Sequence, residues 1–431
     1  MNSKLKTYCM IVGLGFIYLV TMAGYSFADS IRQAAGDAVA YHPDVKALLA
    51  NRRAIGEELV AAEGLARPGV RVEGRYGAYH GDSTSTQGYG EASVKLRQPL
   101  YLGGKIQSET TRQTFRVDSA TSRLADTVET VALQAVQAYL EMVRAKRVLS
   151  RAVANSNVVD RIYNRVSDRV NGGGGNSADL EQVRARRYAA KTAVTNARIQ
   201  TRDALALFKT AVGRDPGKLR QDDLPKRSLS RSLDDVLNRA RDMSPKLLAI
   251  KFDADAAEAA IGTARSELLP QVALELSANH ADRIRSVSQE RQSLKAMVVV
   301  SMSLYNGGIN HARLREARYR ADEAKHLIGS AQVSVERELR LSWNKYHGSG
   351  SLVQNLLNQS RANRRLVDLR LQQYDSGLAT LISILDAQNE AFVAGVQATN
   401  EFNAGRFAFF KLLAATGTLA ETLGVVRSLD Q

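Results

Sequence analysis

The sequence predicts a mainly α-helical protein with a membrane β-barrel portion, built as two tandem repeats of short helix, β-hairpin and long α-hairpin. Three observations predict it: an internal repeat, the placement of the prolines, and four short stretches that alternate apolar with polar residues. His42-Pro43 returns as Ser244-Pro245, and Pro68 as Pro270, both 202 positions on. Leu100-Tyr101-Leu102-Gly103-Gly104 returns as Leu304-Tyr305-Asn306-Gly307-Gly308, and Val131 and Tyr139 answer to Val335 and Trp343, now at 204. The run Gly172 to Gly175 faces Gly377, and Gly213 faces Gly417. Chance does not place so many pairs in order at offsets this close.

The chain of 431 residues carries a formal net charge of +15, with 44% hydrophobic and 24% charged residues, which excludes a disordered tail and a bundle of membrane-spanning helices. One cysteine excludes a disulfide framework and a cysteine metal site. Residues 1–28 have the three parts of a signal peptide: Lys4 and Lys6, an apolar run from Cys9 through Ala23, and small residues Ser26 and Ala28 before a cut at Ala28-Asp29. An uncleaved anchor would share the apolar run, but the small residues favour cleavage and export.

The seven prolines leave 100–215 and 271–431 free of this residue. An interior proline costs a helix about 3 kcal/mol or more, so long helices are permitted in those two spans. Both are rich in good helix formers. A helix from about 104 to 170 would be on the order of 100 Å long, a length suited to a coiled coil or a bridge. Gly172, Gly173, Gly174 and Gly175 supply left-handed or flexible backbone at the first hairpin tip, and Asn176-Ser177 caps the returning helix; Gly377 ends the partner helix in the second repeat. Gly348 and Gly350, inside the second long helix, predict a break or kink there.

Before each long helix lie strands at about 70–79 and 91–100, then 271–279 and 292–304. Val72, Val94, Leu276 and Val298 belong to apolar sets that alternate with Arg71, Lys95, Glu275 and their like. Soluble hairpins alternate in the same way. Context favours the membrane: the linking segments His80–Tyr89 and His280–Gln289 are polar, and each strand is about as long as a bilayer-crossing strand. Lipid does not tolerate open sheet edges, and single-chain barrels begin at eight strands. Two, three or four copies, giving eight, twelve or sixteen strands, must then share one barrel. The boundaries that follow are 1–28 signal peptide, 29–215 first repeat with its hairpin at about 104–213, and 216–243 inter-repeat segment. The second repeat spans 244–417 with its hairpin at about 308–417, followed by a tail at 418–431.

This order, with the paired Pro-ended helices, the two Leu-Tyr-x-Gly-Gly motifs and the tip motif from Tyr374 to Ala387 (Tyr-x-x-Gly-x-x-Thr-x-x-x-x-x-Asp-Ala), resembles the TolC family of outer-membrane exit ducts. The segment Val212-Gly213-Arg214-Asp215-Pro216 is most similar to members that serve type I protein secretion. The resemblance covers nearly the whole chain after the signal peptide. It implies a homotrimer with a twelve-stranded barrel in outer-membrane lipid and a twelve-helix tunnel in the periplasm, needing no cofactor. The implied partners are a periplasmic adaptor (membrane fusion protein) and an inner-membrane ABC exporter, or a proton-driven pump if the duct serves drug efflux. At the gate, Asp386 matches an aspartate near the axis, and Ser383 stands where the family has a second one. Tyr374 and Glu181 match residues that link helices at the closed tip, while Ala379 replaces the arginine of that link, so the closed gate is expected either to use fewer ionic locks or to relocate them to Arg184 or Arg186.

Catalytic and phosphate-binding motifs are missing, and the six histidines lack ligand spacing, so no enzyme and no metal site are expected. Asp253, Asp255 and Glu258 cluster on one predicted helix and suit a solvated face. The basic excess is spread among acids along both repeats, which speaks against nucleic acid and for a charged lumen. A periplasmic coiled-coil adaptor or scaffold would share the long hairpins but not the four amphipathic strands.

Overall fold

A computed structural model describes residues 28–81, 84–220, 224, 232–282 and 292–425. The N-terminal positively charged and apolar segments lie outside them. Strand β1, Ala28–Asp29, pairs in parallel with β4, Lys218–Leu219, so the Ala28-Asp29 cut would fall within this two-residue strand.

Helix α1, Ile31–Tyr41, starts at Ser30, whose side chain accepts the Gln33 N–H at 3.2 Å. In α2, Pro43–Gly64, proline occupies the first turn, where a missing N–H costs nothing, and the His42 Nδ1 accepts the Asp44 N–H. The hairpin β2, Gly69–Gly81, and β3, Thr84–Leu102, leads into α3, Lys105–Asn171, and α4, Ser177–Val212. After α5, Leu233–Met243, the second repeat gives α6, Pro245–Ser266, then β5, Gln271–Asp282, and β6, Gln292–Ser301. It ends with α7, Ile309–Asp375, and α8, Leu381–Ala415, and α9, Leu419–Thr422, follows. Helices α3 and α7 have 67 residues each, about 100 Å at 1.5 Å per residue.

The four long strands form one antiparallel sheet in the order β2-β3-β5-β6. Its register carries the alternation across all four. Val72, Val94, Ala278 and Leu294 make one row, and Arg71, Lys95, Ser277 and Lys295 the next. Neighbouring rows point to opposite faces, so one face is apolar and the other polar. The apolar face is bare in a single chain: Val72 is 74% exposed and Leu294 83%. On the polar face, Lys95 reaches Glu73 at 3.1 Å. The outer edges of β2 and β6 have no partner among the described residues.

Three expectations need correction. Of the segments expected as loops, residues 80–81 and 84–89 are strand, with Tyr79 opposite Gln87, and 280–282 belong to β5, while 82–83 and 283–289 lie outside the described residues. Polar threonines suit a ladder made by the backbone, so polarity did not mark the turn. The last strand stops at Ser301 rather than 304, since its partner β5 begins at Gln271, directly after Pro270. Finally, α7 runs unbroken through Gly348 and Gly350. Ser349 lies between them against α8, where a Cβ on Gly405 would come within 2.0 Å of the Ser349 Oγ. Close packing of the two helices offsets the weak helix propensity of the glycines.

The main core lies midway along the helices. There α1, with Ala34, Ala35 and Ala38 fully covered, packs on α3, whose Ala132, Ala135 and Val136 share one core with Phe410 and Leu413 of α8. The Tyr139 ring is buried in this core, and its hydroxyl accepts the Arg220 N–H at 2.9 Å and donates to the Arg220 carbonyl, tying the inter-repeat segment down. Helix α5 packs through Val236, Leu237 and Ala240 on Val335 and Leu339 of α7. Asp253 of α6 accepts from Ser119 and Arg123 of α3, and Glu258 pairs with Lys325 of α7 at 2.8 Å. The acidic face of α6 is therefore a set of ties between helices rather than a merely solvated surface.

Candidate functional site

The end of the molecule farthest from the sheet is where four helices converge. Ile162 and Val166 of α3, Val183 of α4, Val367 of α7 and Ile384 and Leu385 of α8 form a separate small core there. Of the four glycines at the first tip, only Gly173 is left-handed, at φ 79°. Gly175 is required for room, since a Cβ would lie 2.7 Å from a Val170 methyl. Gly377, at φ 77°, closes the second tip with its N–H on the Tyr374 carbonyl and the Leu378 N–H on the Gln373 carbonyl.

Arg169, in the last turn of α3, joins the two tips. Its Nε donates to the Gly174 carbonyl at 3.0 Å and its Nη1 to the Tyr374 carbonyl, while its guanidinium lies 4.8 Å from the centre of the Tyr374 ring. Burial, followed by the charge of Asp179, pushes the Tyr374 hydroxyl above its ordinary pKa, and Arg169 opposes the shift. Arg169 escaped the sequence reading. A basic side chain just before a glycine turn was the available signal.

Asp386 pairs with Arg186 at 3.2 Å, a tie from α8 to α4 made by two half-exposed side chains. Arg165 of α3 reaches Asp375 of α7 at 3.2 Å, a second tie between the hairpins. Glu181 does not meet Tyr374 within the chain; it pairs with Arg184 one turn along its own helix at 2.5 Å. The Ser383 hydroxyl donates to the Thr380 carbonyl at 2.8 Å, and its own carbonyl accepts from Arg370. Ser383 thus secures the first turn of α8. Arg187 lies over Tyr163 and bonds Asp160 at 2.6 Å, holding α4 to α3.

A sheet that is apolar on one face and open at both edges, continued by helices about 100 Å long with tied tips, defines a subunit of a membrane channel wall. No described helix is long and apolar enough to cross a membrane. The family model for outer membrane efflux proteins matches residues 34–214 and 236–418, one segment per repeat. The chain belongs to this family, the TolC-type outer-membrane channels, located in the outer membrane and extending into the periplasm. It is 24% identical to the outer membrane efflux protein BepC of Brucella suis over 376 residues, 86% of this chain and 81% of that protein. To the outer membrane protein TolC of Vibrio cholerae it is 21% identical over 412 residues, 94% of each. A crystal structure of a membrane protein from Pseudomonas aeruginosa superposes with a TM-score of 0.80 at 17% identity, covering 90% of both chains.

Proposed function

We propose that three copies close one twelve-stranded barrel and one helical tunnel, giving substrates of an inner-membrane translocase a passive exit through a periplasmic adaptor. The observation that carries this reading is the four-stranded sheet with bare edges and a bare apolar face. One chain cannot shield it from lipid or close it. The mass of the detergent-extracted oligomer and its conductance in a planar bilayer test the reading. A trimer with discrete channel steps is expected; a stable, water-soluble single subunit overturns it.

The service we assign is type I protein secretion, from the 212–216 segment. That segment also braces the fold, since Arg214 bonds Asp37 of α1 at 2.7 Å and Lys209 holds Asp215 at 2.8 Å. A second reading, drug efflux, is favoured by the likeness to the efflux protein BepC. Deletion of the gene separates them: loss of a secreted protein supports the first, and sensitisation to small toxic compounds alone supports the second.

We further assign the gate to the tips, with Asp386 as a cation-attracting ring and Arg186 as its lock within each subunit. Asp386→Asn removes lock and ring together, so single-channel conductance should rise and block by divalent cations should fall. Arg186→Gln removes the lock alone, so conductance should rise while divalent block deepens. If neither variant changes conductance or block, this pair has no part in the gate.

A further inference from the structure

Between the main core and the tips, α8 lies between α3 and α7, and the three helices leave a groove of about 450 Å³. Arg147 and Arg151 of α3, Val353 and Leu357 of α7, and Thr399 and Phe402 of α8 line it. Arg151 is seated rather than loose. Its Nε donates to the Thr399 hydroxyl at 2.8 Å, and its Nη1 occupies a notch at Gly395, where a Cβ would come within 2.9 Å.

The seat is positive. Burial first, and then the like charges of Arg364 on α7 and Arg147, hold the Arg151 guanidinium below its ordinary pKa. Arg147 and Arg406 both lie over the Phe402 ring, at 5.6 and 5.7 Å. Arg144, one turn from Arg147, is paired with Glu141, whereas no carboxylate among the described residues pairs with Arg147, Arg151 or Arg364. Arg147 and Arg151 are half-buried and Arg364 is exposed; like charges held close without a counter-charge are costly, and an anion placed beside them relieves the repulsion. Apart from Ser150 and Thr399, the rest of the lining is Val353, Leu357, Ala398 and Phe402, apolar or aromatic, which suits a ligand with an uncharged hydrocarbon body.

We propose that this groove is a binding site for an amphipathic organic anion, with Arg151 and Arg147 holding its carboxylate or sulfonate, Arg364 adding positive charge beside them, and Phe402, Val353 and Leu357 covering its apolar part. The residues that hold the anion and cover its apolar part all belong to one chain. Occupancy of the site depends on the groove alone, whichever cargo the channel serves.

Calorimetric titration of 2-naphthoate into the full-length, detergent-extracted protein tests the proposal, with detergent matched in cell and syringe. Saturable binding that weakens with added salt is expected, and the matching cation, 2-naphthylmethylammonium, should not bind. Arg151→Gln should weaken naphthoate binding roughly tenfold or more, and Arg151→Lys should restore part of it. Gly395→Ala, which fills the notch, should weaken it as well. Lys146→Gln, an exposed charge change on the same helix, should not. Circular dichroism and oligomer mass establish that each variant is folded. Absence of saturable naphthoate binding to the folded wild type overturns the proposal. So does equal affinity in Arg151→Gln, Arg364→Gln and wild type, the result that partition into detergent or capture of the anion by general surface charge would give.

Discussion

Gly103→Ala is expected to destabilise the folded subunit strongly, whereas Gly307→Ala, at the equivalent place in the second repeat, should cost it much less. Both glycines are left-handed, at φ 62° and 69°, so each alanine carries a backbone penalty of about 1–2 kcal/mol. Only at 103 does the new methyl also have nowhere to go. It would lie 2.7 Å from the Ser266 carbonyl oxygen and 2.9 Å from the Leu269 Cβ, while at 307, its chain neighbours aside, nothing among the described residues lies within 4 Å. Ser266 is fully buried at the end of α6, with its hydroxyl on the Thr263 carbonyl, and cannot easily retreat. Forcing the junction of β3 and α3 off α6 adds about 1–3 kcal/mol or more. Yield of the oligomer and its denaturation midpoint are the measurements. Equal losses at the two positions would show that the close approach of Gly103 to α6 does not matter.

Glu129→Gln should stabilise the protein at pH 8 and flatten its dependence on pH. The Glu129 carboxylate is buried on α3 and accepts the N–H groups of Leu419 and Ala420 at 3.0 and 3.1 Å, which fastens α9 to the main core. Burial outweighs these bonds and, with the charges of Asp126 and Glu421, pushes its pKa from 4.5 up to about 7. Between pH 4.5 and 7 the folded chain therefore keeps a proton that the unfolded chain has lost, and stability falls as pH rises through that window. The shift corresponds to about 3 kcal/mol, present as a full penalty above pH 7. Asp126, also raised by burial, adds to the fall. Glutamine has no charge to bury and retains one acceptor, but turns its NH2 toward the other N–H, returning about 1 kcal/mol of the gain. At pH 5, where the folded carboxyl is protonated and carries no charge penalty, Glu129→Ala strips both acceptors and should destabilise by about 1–3 kcal/mol. Melting curves at pH 5 and pH 8 decide the matter. A Glu129→Gln protein that melts below wild type at pH 8 contradicts the account.

The fold class was legible because its signals are local. Proline marks where a helix cannot continue, and period-two alternation marks a sheet with two unlike faces. The same reasoning failed wherever a local signal competed with packing. Gly348 and Gly350 suggested a break, yet α8 supports α7 across them through the close approach at Gly405. Polar residues at 80–89 suggested a loop, yet backbone ladder bonds are indifferent to them.

The candidate site was legible only in part. Asp386, Ser383, Tyr374 and Glu181 were named from a motif. Nothing in the motif distinguishes the aspartate that reaches a partner 200 residues away from the serine that only secures its own turn. Arg169 drew no attention because its importance arises from holding two turns that are adjacent only in space.

By itself the sequence determined the repeated order of elements, the long helices, and the two-faced strands that require shared closure. Each of these follows from periodicity and from the backbone limits of proline and glycine, which act over a few residues. The tertiary structure alone decided that Gly103 is crowded and Gly307 free, that Arg186 rather than Arg184 reaches Asp386, and that Glu129 is buried beneath the C-terminal helix. Matching residues in the two repeats meet different neighbours, and both steric room and the energy of a charge depend on what lies within a few ångströms of the side chain.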